Sequence, residues 1–140
     1  MTTAWAHLPN AAFIDEVLTS LKAHPEKWAA ARAAARDTAW GAAWGAARSA
    51  ARSAARDAAR GAAWGAVRNA ARGAPQAVLW GAAWDAARDA AWSTVVTLIA
   101  YDDAGQFMKL PVEQLKAMYR LDPHPMYLLL QPTAAIFAEV

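Results

Sequence analysis

Residues 40–72 read WGAAWGAARSAARSAARDAARGAAWGAVRNAAR, and this stretch decides the fold. Every fourth residue is tryptophan or arginine, the next is small or acidic, and the other two are nearly always alanine. Alanine has the highest helix propensity and arginine is close behind, so the stretch favours α-helix despite its glycines. The W/R-small-A-A repeat extends from Trp28 to Trp92, with Gln76 as the one departure at the Trp/Arg position. The sequence therefore predicts an all-α protein built on Ala-rich helices.

The period of the repeat limits how these helices pack. An α-helix turns about 100° per residue, so a period of four drifts by about 40° per repeat, which excludes a fixed apolar face and a heptad coiled coil. One helix over 26–72 would be about 70 Å long, whereas a compact chain of this size has a radius of gyration near 14 Å. The molecule is then either elongated or broken near Gly41 and Gly45 and near Gly61 and Gly65. We favour the breaks, which would fold the repeat into antiparallel helical hairpins.

The chain length suits one domain, residues 1–140, with three parts. An N-terminal helix is expected within 1–25, the repeat helices within 26–93, and a helical apolar core within 94–140. The segment 73–75 reads Gly-Ala-Pro, which is typical of a helix end followed by a helix start. A break between repeat helices is therefore predicted there.

The large apolar side chains lie mainly at the two ends of the chain. About 40 of the hydrophobic residues are alanine, which removes little apolar area from water when it is buried. Asn10 is placed to cap the first helix, whose apolar face would hold Phe13, Ile14, Val17, Leu18 and Leu21. The C-terminal core candidates are Leu98, Ile99, Phe107, Leu110, Leu115, Met118, Leu128, Leu129, Leu130, Ile136 and Phe137.

Five tryptophans of the repeat stand before glycine or aspartate: Trp40, Trp44, Trp64, Trp80 and Trp84. Alanine and glycine let helix backbones approach closely, so these indoles are expected to fill notches over glycines of neighbouring helices. The alternative is an exposed Trp/Arg surface, because both residue types are enriched at binding hot spots.

Charge is uneven along the chain. Residues 26–93 carry ten basic and five acidic side chains, a net charge of +5, whereas the whole chain has +2. The run Arg48, Arg52, Arg56, Arg60 has Asp57 as its one acidic neighbour. This stripe is either a solvated face, a surface that docks an acidic partner, or a phosphate-binding surface. The candidate partner-binding residues are Arg48, Arg52, Arg56, Arg60, Trp44 and Trp64.

No residue set has the spacing of a catalytic, cofactor or metal site. The chain has no cysteine, which excludes disulfides, thiolate metal sites and a thiol nucleophile. Asp102 and Asp103 diverge by about 100° on a helix, and one of them, Asp102 or Asp103, is expected to pair with a repeat arginine. The histidines lie near proline-marked boundaries, where surface or boundary roles are expected: His7, His24 and His124. We therefore expect a non-enzyme without cofactor or metal.

Location is inferred from what the sequence lacks. Its N-terminus has no signal-peptide pattern, and no apolar run reaches the roughly 18 residues of a membrane span. A cytoplasmic protein without a membrane partner is expected.

Three segments carry a resemblance to known proteins. They are AARDTAWGAAWGAARSAARSAARDAARGAAWGA, then WDAARDAAWSTVVTLIAYDD, and later YLLLQPTAAIFA. Together they resemble uncharacterised proteins encoded by tailed bacteriophages, over about residues 26–138. The repeat by itself also resembles immunity proteins of bacterial toxin systems. The resemblance implies a phage or mobile-element origin, with the host cytoplasm as the location, and small proteins that bind and block other proteins.

These expectations give three alternatives for function. The leading one is a helical module that binds and blocks a protein with an acidic surface. The second is nucleic-acid binding through the arginine stripe, which predicts an affinity that falls steeply with salt. The third is a structural or virion scaffold subunit, which would form a homo-oligomer.

Overall fold

The computed structural model describes residues 5–36, 41–55, 57–72 and 82–138, and these ranges fold into helices without a strand. The all-α class is thus confirmed. The helices are α1 Ala11–Ala23, α2 Pro25–Arg36, α3 Gly41–Ala54, α4 Asp57–Arg72, α5 Ala82–Ala100, α6 Val112–Leu121, α7 Pro125–Leu129 and α8 Gln131–Phe137, with a 3₁₀ helix at Ala104–Phe107. None of them has the length and apolarity needed to cross a bilayer.

Helix α5 lies at the centre of the molecule. Every residue of 90–99 is buried, and α5 contacts α1, α2, α3, α4, α7 and α8. A helix buried on all sides must satisfy its polar groups internally. Ser93, Thr94 and Thr97 do so by donating to carbonyls one turn earlier, and the Thr94 hydroxyl also pairs with that of Thr133 on α8.

The apolar residues of the two chain ends form one core around α5. On α1, Ile14, Val17 and Leu21 are buried. The predicted C-terminal residues that are buried are Leu98, Ile99, Leu115, Leu128, Leu129, Leu130 and Ile136, while Phe107, Leu110, Met118 and Phe137 pack against them partly exposed. Alanine-rich helices thus gain their burial by packing on bulky neighbours.

Two breaks were predicted at glycine pairs of the repeat, and the second of them lies elsewhere. The first, near Gly41 and Gly45, falls beside residues 37–40, outside the described part of the chain, and α3 begins at Gly41. Helix α3 ends at Ala54 and α4 begins at Asp57, while Gly61 and Gly65 lie inside α4, so the predicted break at these glycines is wrong. Each glycine costs about 1 kcal/mol relative to alanine, which the surrounding alanines and packing on α5 can offset. The predicted break at 73–75 lies outside the described residues. The antiparallel arrangement of the hairpins stays a prediction.

Three glycines of the repeat, Gly45, Gly61 and Gly65, do not form filled notches. A Cβ placed on Gly45, Gly61 or Gly65 would meet no atom within 4 Å, so no indole occupies these positions. The expectation of tryptophan over glycine is therefore wrong at these three sites. The side chains of Trp40, Trp80 and Trp84 lie outside the described part of the chain.

Burial along α3 agrees with the drift of the repeat. Trp44 is buried and Arg52 is exposed, although both occupy the Trp/Arg position. Two repeats separate them, which rotates the side-chain direction by about 80°. Alanines at a spacing of four residues are buried instead: Ala47, Ala51 and Ala55.

Asn10 has a different role from the predicted helix cap. It precedes α1, but its side chain makes no capping hydrogen bond there. Instead Nδ2 donates to the carbonyls of Leu98 (3.0 Å) and Tyr101 (2.9 Å), at the C-terminal end of α5. A Cβ on Gly105 would lie 2.5 Å from Asn10 Oδ1 and overlap the ring of Phe13, so only glycine fits this approach. Asn10 therefore joins the start of the chain to the end of the central helix.

Two buried tryptophans differ in whether the indole N–H has a hydrogen-bond partner. Trp28 donates from Nε1 to Ser20 Oγ at 3.0 Å, whereas the buried Nε1 of Trp44 has no hydrogen-bond partner among the described residues. Both rings are almost fully enclosed. We therefore expect Trp28→Phe to lower the free energy of unfolding by about 1 to 2 kcal/mol more than Trp44→Phe, because only the first loses a made hydrogen bond.

Urea denaturation of the two variants checks this expectation. Both substitutions remove a similar volume from the core, so each serves as the packing control of the other. Equal losses would show that the N–H of Trp44 finds a partner in solution.

Candidate anion-binding groove

An open groove lies where α3 and α4 pack on α5. Its volume is about 470 Å³, which is in the range of sites for small ligands or short peptide segments. The lining residues are Arg48 and Arg52 of α3, Arg60, Gly61 and Trp64 of α4, and Arg88, Asp89 and Trp92 of α5. We call this feature the groove.

The structure brings most of the predicted partner-binding residues into the groove. Arg48, Arg52, Arg60 and Trp64 all line it. Trp44 does not, because its side chain is 3% exposed and belongs to the core, so its assignment to a binding surface is corrected. Arg56 lies outside the described residues.

Asp89 is the one carboxylate among the described residues that line the groove, and two arginines pair with it. Arg32 Nε lies 2.5 Å from Oδ2, and a terminal nitrogen of Arg48 lies 2.7 Å from Oδ1. The Asp89 side chain is 16% exposed, so water screens these pairs less than it screens ordinary surface pairs. Since Arg32 is on α2, the carboxylate links α2, α3 and α5, and its charge is neutralised before any ligand arrives.

Aromatic rings position a third arginine. Trp64 and Trp92 pack edge to face, with their ring centroids 5.1 Å apart and an interplanar angle of 74°. Arg88 Cζ lies 5.2 Å from the Trp64 ring centroid, within the range of a cation–π contact. The same guanidinium contacts Asp85 at 3.2 Å. These contacts hold Arg88 on the groove wall.

Arg60 is fixed by the end of the neighbouring helix. One of its terminal nitrogens donates to the carbonyl of Arg52 at 2.8 Å. That carbonyl is among the last four of α3, where a positive charge is favoured by the helix dipole. The exposed Arg52 side chain stands beside it. The described side chains that line the groove include four arginines, Arg48, Arg52, Arg60 and Arg88, and one carboxylate, Asp89, so together they carry a net charge of +3.

Sequence reasoning missed one wall of the groove. Arg88 and Trp92 occupy the same Trp/Arg position as the predicted stripe, and Asp89 occupies the small position. Their shared repeat position was the feature of the sequence that could have identified these residues as part of the site. It could not show that α5 packs beside α3 and α4, because a four-residue period is identical in every segment.

A second cavity of about 450 Å³ includes Tyr101, Asp102, Asp103 and His124. Burial raises the pKa of the Tyr101 hydroxyl. His124 Nδ1 accepts a hydrogen bond from the Met126 N–H at 3.1 Å and caps α7, which confirms its predicted boundary position. The prediction that Asp102 or Asp103 pairs with a repeat arginine is wrong within the described residues, where the carboxylates paired with these arginines are Asp85 and Asp89.

The described side chains that line the groove are suited to binding an anionic ligand. Among them, no group of three or more His, Asp or Glu residues is arranged to hold a metal ion. The groove itself is lined by guanidinium donors and indole rings, which suit carboxylate or phosphate oxygens. Comparison with protein-family models, with curated proteins and with solved structures finds no match to this chain.

Proposed function

We propose that this chain is a non-enzymatic binding protein, encoded by a phage or a bacterial conflict system, that captures and blocks a partner protein through an acidic segment. The observation that carries the proposal is the net charge of +3 on the described side chains that line the groove, together with Trp64 and Trp92. Arginine binds carboxylates with two parallel hydrogen bonds, and arginine and tryptophan are both enriched at hot spots. The cytoplasm of a bacterial host would be its location.

An acidic protein segment suits the groove better than nucleic acid. Arg88 lies over the Trp64 ring, and Trp92 is 7% exposed, so the two indoles offer little open face for stacking bases. The chain carries a net charge of only +2, whereas nucleic-acid binders usually carry more. The positive charge is concentrated in one groove, which favours a short acidic segment over a long backbone.

Binding of a labelled ten-residue polyglutamate peptide, followed by fluorescence anisotropy, tests the proposal. We expect Arg52→Glu to weaken binding about tenfold or more, since a charge-assisted hydrogen bond contributes about 1.5 to 3 kcal/mol. Arg52 is exposed, so this variant should melt within a few degrees of the wild type.

Arg68→Glu is the matched control, because Arg68 occupies the same repeat position on α4 but does not line the groove. An equal loss in both variants would mean that overall charge drives the binding. Tighter binding of a ten-residue oligothymidine, falling steeply with salt, would favour the nucleic-acid alternative. Binding of neither probe would overturn the proposal.

Light scattering distinguishes the third alternative, a structural or virion subunit, from a protein that captures a partner. A structural or virion subunit would form discrete high-order oligomers at low micromolar concentration. A monomer that retains peptide binding would support capture of a partner.

A further inference from the structure

A small recess lies beside the groove and is lined by hydroxyl and guanidinium groups. It has a volume of about 230 Å³, and the described residues that line it are Ser49, Arg52 and Ser53 of α3 and Arg60 of α4. We call this feature the recess. Arg52 and Arg60 also line the groove, so the two spaces share a wall. The groove contains Asp89, whereas the described lining of the recess contains no carboxylate.

The two serines of the recess have hydroxyl groups that the protein does not use. Ser49 and Ser53 are exposed and lie one turn apart on the same side of α3. On α5, Ser93 and Thr97 donate to the carbonyl four residues earlier, as hydroxyls in helices often do. Neither serine of the recess makes a side-chain hydrogen bond within the described part of the chain. Both hydroxyls can therefore donate to a ligand oxygen.

Two arginines bring positive charge to the recess. The Arg52 side chain is exposed and forms no ion pair with a described carboxylate. Arg60 donates to the carbonyl of Arg52 at 2.8 Å, so its charge offsets the negative end of the α3 dipole, which would otherwise oppose an anion here. The recess therefore suits an anion that accepts hydrogen bonds from several directions.

A phosphate monoester fits this set of donors better than a carboxylate or a phosphate diester. Its three terminal oxygens point in different directions and carry a charge of about −1.5 to −2 at pH 7. A carboxylate has two oxygens in one plane and a single charge, and a diester also keeps only two unesterified oxygens and a single charge. The monoester can accept from the guanidinium groups through two oxygens and from the serine hydroxyls through the third.

We propose that the recess is a binding site for the phosphate group of a monoester. Arg52 and Arg60 bind its charge, and Ser49 and Ser53 select phosphate over carboxylate. The site goes beyond the proposed function, because it binds the same group on a phosphorylated side chain of a partner segment or on a small molecule.

Titration of the full chain with three short peptides tests the preference for phosphate. The peptides share a glycine host and carry one phosphoserine, one glutamate or, as the baseline, one serine. We expect the phosphoserine peptide to bind about tenfold more tightly than the glutamate peptide, because it accepts a further charge-assisted hydrogen bond. NMR amide shifts should be largest at Ser49, Arg52 and Ser53. Equal affinities for phosphoserine and glutamate, or shifts confined to other residues, would overturn the site.

The double variant Ser49→Ala with Ser53→Ala isolates the hydroxyls. It keeps every arginine and raises helix propensity, so the fold should persist. We expect the affinity for the phosphoserine peptide to fall about tenfold, to that for the glutamate peptide, which should itself change by less than about twofold. Asn69→Ala is the control, because Asn69 is exposed at the same repeat position of α4 and does not line the recess. An unchanged preference for phosphoserine in the double variant would contradict selection by the serines.

Two small ligands identify what carries the phosphate. Methyl phosphate that binds as tightly as the phosphoserine peptide would support the site and indicate a small phosphorylated molecule. Peptide binding at least about tenfold tighter would support the site and indicate a phosphorylated partner segment. Dimethyl phosphate is the diester control, and its binding more tightly than methyl phosphate would overturn the assignment to a monoester.

Failure of this site and failure of the proposed function give different results. Polyglutamate binding that depends on Arg52, without a preference for phosphate, would overturn the phosphate site and leave the proposed function standing. Binding of methyl phosphate that depends on the two serines, without binding of polyglutamate, would overturn the proposed function and leave the phosphate site standing.

Discussion

Asn10→Asp is expected to lower the free energy of unfolding by about 3 to 5 kcal/mol at neutral pH, although the two side chains have nearly the same shape. The Asn10 side chain is 3% exposed, and its amide nitrogen donates to two carbonyl oxygens, of Leu98 and Tyr101. Only a nitrogen donor can satisfy both. A carboxylate would place negative oxygen about 3 Å from each carbonyl oxygen, in a site where a charged group is desolvated.

The pH dependence of this variant identifies the cause. Burial raises the pKa of the introduced carboxyl above its unfolded value near 3.9, because the charged form is desolvated. The folded variant then binds more protons than the unfolded chain at intermediate pH, so the penalty is largest above the folded pKa and shrinks as pH falls towards 4. Below that point a protonated carboxyl can donate to one carbonyl.

Chemical denaturation at pH 7 and pH 4 measures the difference from the wild type. Asn69→Asp is the matched control, since Asn69 is exposed on α4, and its effect should stay within about 0.5 kcal/mol. A small loss for Asn10→Asp at both pH values would mean that the N-terminal segment separates from α5 in solution.

The helical class and the core could be predicted because they depend on local composition. Alanine and arginine favour helix wherever they occur, and bulky residues such as Leu128 and Ile136 are buried by whichever helix is beside them. Asn10 shows the limit of that reasoning. Its position before α1 indicates a cap, yet its partners lie 88 and 91 residues away, at a helix end that no local pattern identifies.

Only the part of the groove formed by α3 and α4 could be predicted, for a related reason. Arg48, Arg52, Arg60 and Trp64 share one stretch of sequence, so their spacing shows that they could form one surface. The break after α3 carries no glycine or proline, and only Asp57, of a type favoured at helix starts, marks it. The position of α4 relative to α3 therefore had to come from packing on α5.

The second large effect is expected at Asp89, where Asp89→Asn should lower the free energy of unfolding by about 2 to 4 kcal/mol. The carboxylate accepts from Arg32 through Oδ2 and from Arg48 through Oδ1. In asparagine an NH₂ group replaces one of these oxygens and faces an arginine donor. One hydrogen bond is therefore replaced by repulsion between two donors. The two arginines then stand close together with no carboxylate between α2, α3 and α5.

Asp85→Asn on the same helix is the matched comparison. Asp85 pairs with Arg88 within one turn of α5 and its side chain is 63% exposed, so the loss should stay below about 0.5 kcal/mol. Thermal or urea denaturation of both variants measures the contrast, and equal small losses would show that Asp89 does not hold the three helices together. If peptide binding also rises in Asp89→Asn under conditions where the variant stays folded, the same carboxylate limits the positive charge of the groove. Stability of the helix contacts and affinity for acidic ligands would then oppose each other at one residue.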